Sequence, residues 1–197
     1  MISPSIDAGA ELSAAVQDYE RTDDVGVLLD RVRALAAAVP AEQLKEACIP
    51  FRERPEVIIP AYERIVSKFP DDAQALVLLA NAYWLTGRGP DVVGDLASRA
   101  IAADATNRGA WHLWALAESN IRERVTRWQQ VAQRFPEDPI ARAALADNAT
   151  SLASAEQDPL ALDLAIRTYE GLLAESTQPV QRSALESALK TLREWKL

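Results

Sequence analysis

The 197-residue chain contains one cysteine, Cys48, and one histidine, His112. A disulfide within the chain is therefore excluded, a Cys/His zinc site lacks ligands, and histidine-based catalysis would have to run through His112 alone. Glycine is scarce, seven residues against eleven prolines. No Walker sequence, Gly-x-Gly-x-x-Gly, Gly-x-Ser-x-Gly or EF-hand spacing occurs, so nucleotide, hydrolase and calcium chemistry have no motif behind them. The expectation is a non-enzyme with no cofactor and no metal site. Basic charge is also in deficit: 21 Lys and Arg against 29 Asp and Glu give a net charge of −8. That argues against duplex nucleic acid and anionic membranes as partners. No apolar stretch approaches the roughly 20 residues that cross a bilayer. Residues 1–10 place no basic residue or apolar run ahead of their acids and do not read as a signal peptide. A cytoplasmic protein is the expectation. With 49% hydrophobic and 25% charged residues, the composition is that of a globular chain, long enough to bury a core as one domain, 1–197.

The apolar residues that are present follow helical spacing. Leu76, Leu79, Ala80 and Tyr83 run i, i+3, i+4, i+7, and so do Leu28, Arg31, Val32 and Leu35 with the arginine stem at the edge. The one β-branched run, Val57-Ile58-Ile59, is enclosed by Pro55 and Pro60, which argues against a strand. Proline acts as punctuation elsewhere too. Asp138-Pro139 and Asp158-Pro159 each put a capping carboxylate before a proline whose missing N–H costs nothing at the first helical position, and Gly89-Pro90 and Gln178-Pro179 fit the same place. Phe69-Pro70 and Phe135-Pro136 fall where helices should stop. The pattern predicts about ten helices of roughly three turns.

Short helices at regular spacing suggest a repeat, and one is present. Residues 61–81 align without gaps on residues 127–147, and residues 97–107 carry a third copy of the same hinge. The period is about 34 residues, two helices and a turn. These residues resemble the tetratricopeptide repeat (TPR) family, whose pattern is Trp-x-x-Leu-Gly-x-x-Tyr on the first helix and Ala, an aromatic, Ala and Pro on the second. Leu76, Leu79, Ala80 and Tyr83 match the first helix by size class, and Val93, Ala97, Ala100 and Ala105 occupy the second. Trp111, Trp114 and Ala115 open the next unit, which continues through Trp128, Val131 and Phe135-Pro136. A more degenerate unit holds Leu145-Ala146, then Ala165, Tyr169 and Leu172. Ile58, Tyr62 and Ile65 resemble the second helix of a unit whose first lies near residues 41–48.

The resemblance implies an all-α fold of antiparallel helix-hairpin repeats stacked into a right-handed TPR-like superhelix. Its parts are N-terminal helices over 1–40 with a partly disordered start, repeat units over 41–177, and a C-terminal capping helix over 178–197. Small residues at Ala80, Ala115 and Ala146 let paired helices approach, while Leu79, Trp114 and Leu145 fill the gap to the next hairpin. Three departures are expected to distort the later units. Arg124 stands where a small residue is expected, the turn after the helix near 108 is short, and about seven extra residues surround 154–158. The termini should be polar outside, as Glu11, Asp18, Glu20, Arg182, Glu186 and Lys190 suggest.

The candidate chemistry is sparse. Cys48, flanked by Ala47 and Ile49, reads as a small buried hydrophobe. The acid pairs Asp23-Asp24, Asp71-Asp72 and Glu137-Asp138 lie at inferred helix starts, where carboxylates cap N–H groups. Arg122, Arg124, Arg127 and Arg134 form a basic stripe. It is read as a solvated face partnered by Glu123, with an acidic docking partner as the alternative. In the resembled family, set positions of each first helix line a concave groove. Carried over, they are Gln74, Val77, Asn81, Trp84 and Leu85, then His112, Leu116, Ser119 and Asn120, then Asp147 with its neighbours. This lining suits a peptide or helix of another protein, with Trp84 as aromatic anchor. Trp84 packed on a helix from residues 8–38 is the competing reading. The family's carboxylate-gripping lysine has no counterpart beside Asn81. The implied function is a protein-interaction module, an adaptor, assembly factor or chaperone-like scaffold. A self-associating homo-oligomer is the second reading, and a small-ligand site around His112 the third.

Overall fold

A computed structural model describes residues 6–196; residues 1–5, and with them half of the N-terminal stretch read against a signal peptide, lie outside the described residues. Among the described residues there are eleven α-helices and no strand. The chain divides into two compact units, residues 1–113 and 114–197, treated separately below.

The first unit opens with α1 (Ala8–Thr22), α2 (Val25–Ala38), α3 (Ala41–Cys48), a 3-10 turn (Ile49–Phe51), α4 (Pro55–Lys68), α5 (Ala73–Leu85) and α6 (Pro90–Ala103). Residues 8–22, expected to fall partly in a disordered start, are a capped helix: Asp7 accepts from the Ala10 amide and Asp23 takes a left-handed conformation at the far end. α1 packs on α2 and α3, α2 on α4, and α4 on α5, so consecutive hairpins stack. Burial follows the predicted spacing, with Leu28, Val32, Leu35, Leu76, Leu79, Ala80 and Tyr83 in the core and the Arg31 stem at its edge. The Val57-Ile58-Ile59 run is helical, with Pro55 at the start of α4 and Pro60 buried inside it. An interior proline forfeits one backbone hydrogen bond. Val57, Ile58, Ala61, Tyr62 and Ile65, all buried, supply the packing that holds α4 together despite that loss.

α7 (Arg108–Leu116) crosses the division between the units. The second unit contains α8 (Ile121–Arg134), α9 (Pro139–Glu156), α10 (Pro159–Glu175) and α11 (Pro179–Arg193), with α8 packed on α9, α9 on α10 and α10 on α11. Asp138 and Asp158 cap α9 and α10 ahead of their prolines, and Phe69 and Phe135 stand just past the ends of α4 and α8, all as the proline pattern predicts. The extra residues near 154–158 lengthen α9 rather than forming a loop, and it runs 18 residues. Arg122 on α8 fixes that extension by pairing with Glu156 and, at 3.0 Å, with Asp158.

The arginine stripe of α8 is neither free nor partnered by Glu123 in the way the sequence suggested. Arg124 is half-buried, its Nε donating to Asn148 Oδ1 at 2.8 Å and an Nη to the Glu118 carbonyl at 2.9 Å. Arg127 lies 4.6 Å over the Trp114 ring, donates to the Trp114 carbonyl and pairs with Glu118 at 2.6 Å. Each guanidinium ties one element of the unit to another. α7 ends at Leu116, and the sharp turn over residues 117–120 supplies Glu118, whose carbonyl serves Arg124 and whose carboxylate serves Arg127.

Candidate functional site

α5 is the helix on which the carried-over surface positions cluster. Its start is fixed by Asp72, whose carboxylate accepts from the Ala75 amide at 3.0 Å and pairs with Lys45 of α3 at 2.6 Å. Lys45 also reaches Glu42 and lies 5.7 Å over the Phe69 ring. Tyr83 anchors the other end by donating its hydroxyl to Glu63 of α4 at 2.7 Å, with the Arg88 guanidinium 4.9 Å over its ring. Burial, and the carboxylate of Glu63, push the Tyr83 phenol up to about 12, so it stays a hydrogen-bond donor. Thr86 closes α5 by donating to the Ala82 carbonyl at 2.9 Å, and Gly87 and Gly89 then turn the chain at φ of 70° and 96°. Such angles favour glycine, which accounts for two of the seven.

Held at both ends, α5 presents Gln74, Val77, Asn81, Trp84 and Leu85 within an arc of about 100°. Gln74 and Asn81 are exposed, Trp84 is 38% exposed and Leu85 61%. Val77 is half-buried: a Cβ on Gly109, at the start of α7, would lie 3.3 Å from its Cγ1, so the absent side chain lets the backbone close over it. The packing of α1 and α2 is directed onto α3 and α4. Two exposed apolar side chains thus stand beside two amides on a rigid helix, a combination of anchors and hydrogen-bonding groups suited to another polypeptide.

The other carried-over positions fare differently. His112 is half-buried on α7. Leu116 is half-buried and ends that helix, so Ser119 and Asn120 lie in the turn beyond rather than on a first helix. Asn120 is spent as the N-cap of α8, accepting from the Arg122 and Glu123 amides. Asp147 is exposed on α9, where it accepts from the Tyr169 hydroxyl. Cys48 is fully buried in α3, and burial pushes its thiol up to about 12. Among the described residues no group of three or more His, Cys, Asp or Glu side chains is placed to hold a metal, and no helix is long and apolar enough to cross a membrane. The partners of α5, Lys45, Glu63 and Arg88, carry no sequence signal, since they are brought to it only by folding.

No protein-family model matches the sequence, and no curated protein is significantly similar to it. Solved structures are. The crystal structure of the MamA protein is similar over 87% of this chain and 97% of its own, with a TM-score of 0.57 at 13% identity. A thermophilic TPR protein from Thermus thermophilus, TTC0263, is similar over 92% of this chain and 98% of its own, with a TM-score of 0.55 at 17% identity. The fold is thus an all-α arrangement of antiparallel helix hairpins of the tetratricopeptide type.

Proposed function

We propose that this chain is a protein-interaction module, an adaptor, assembly factor or chaperone-like scaffold of the cytoplasm, whose binding surface is the exposed face of α5. The observation that carries the reading is the pairing of Trp84 and Leu85, exposed on a helix whose both ends are pinned by buried or half-buried polar contacts. A rigid helix offering an aromatic and an aliphatic anchor loses little entropy when a partner covers them. Gln74 and Asn81 supply donors and acceptors for the backbone of an extended peptide or for the polar edge of a helix. The helical-hairpin fold supports the same reading, because such repeats offer surface rather than a reaction centre.

The test is affinity capture from the native host with the full chain, comparing wild type with Trp84→Ala and Asn81→Ala. The reading expects both variants to lose the captured protein while helicity and the melting transition stay at wild-type values. A Trp84→Ala chain that fails to fold would return Trp84 to the core. Capture that persists in both folded variants would remove α5 as the binding face.

A further inference from the structure

We draw no further inference here: the strongest candidate, the cleft of about 540 Å³ bordered by α8, α9 and α10 beside Leu145 and Gly171, carries none, because the Arg142 guanidinium in its wall is already paired with Glu175 and nothing in the structure shows what covers it.

Discussion

Arg124 and Asn148 meet across 2.8 Å, Nε of the one donating to Oδ1 of the other and joining α8 to α9. The repeat pattern calls for a small residue at position 124, and a consensus-minded redesign would place alanine there. Arg124→Ala would strip Asn148 Oδ1 and the Glu118 carbonyl of their donors in a half-buried setting. Charge-assisted bonds are worth about 1.5–3 kcal/mol and an orphaned acceptor costs about 1–3 kcal/mol. Partial exposure lowers these figures, so the expected loss is about 1–2 kcal/mol. The urea midpoint of unfolding checks it, and an unchanged or higher midpoint would show that the consensus residue fits after all.

Two glycine-to-alanine substitutions should move stability in opposite directions. Gly89 sits at φ 96°, where a Cβ is strained even though nothing lies within 4 Å of it, so Gly89→Ala is expected to cost about 1–2 kcal/mol. Gly171 lies inside α10, exposed, with equally open space around a built Cβ and an ordinary helical φ. Gly171→Ala should therefore stabilise by about 0.5–1 kcal/mol, chiefly by restricting the unfolded chain. Thermal melts of the two variants beside wild type read both signs in one experiment.

The Lys45–Asp72 pair sets a pH window on the attachment of α5 to α3. Burial alone would raise the Asp72 pKa. The hydrogen bonds from Lys45 and the Ala75 amide outweigh it and hold the carboxyl below its ordinary 3.8. Bonds to Asp72 and Glu42 raise Lys45 above its ordinary 10.5. A carboxylate with a depressed pKa stabilises the fold above its unfolded pKa and loses that contribution as pH falls through the folded value. A lysine with a raised pKa does so below 10.5 and loses it as pH climbs past the folded value. Asp72→Asn keeps a capping acceptor but removes the charge. It should lower the urea midpoint at pH 7 and reduce the further fall as the pH drops below about 5 and through the depressed folded value. An acid limb as steep as that of wild type would assign the effect to other carboxylates, of which Asp18, Asp158 and Glu175 are also held low by hydrogen bonds.

Helix positions, their caps and their buried faces were legible in the sequence because they depend on local chemistry. A carboxylate before a proline can cap only the helix that follows it, and the spacing of Leu76, Leu79, Ala80 and Tyr83 points one face inward whatever the neighbours are. The α5 face comes from the tetratricopeptide resemblance, and helical periodicity accounts only for Asn81, Trp84 and Leu85 falling on one side of the helix. What escaped the sequence depends on long-range pairing. Nothing near Arg122 foretells its pairing with Glu156 and Asp158, at and just past the end of the lengthened α9. Nor does the pattern show that Asn120, counted as a surface position, lies past the last turn of a shortened α7 and caps α8. A repeat alignment assumes each helix has its full length, and positions counted from its start drift once a helix stops a turn early.

The single thiol offers a probe of the first unit. Cys48 has no accessible surface, and burial holds its thiol at about 12, so little thiolate exists at pH 8 and none of it is reachable. Thiol reagents attack the thiolate, and reaction therefore has to wait for α3 to leave its place beside α1 and α4. Native protein should show no fast-reacting thiol with a chromogenic disulfide reagent, and unfolded protein should show one. In between, the slow rate measures the opening of this region, and Leu44→Ala, which removes a buried neighbour on α3, is expected to raise it by about tenfold or more. Trp84→Ala, at an exposed position, should leave the rate unchanged. A fast native reaction would show the thiol open to solvent and would contradict the packing of α3 directly.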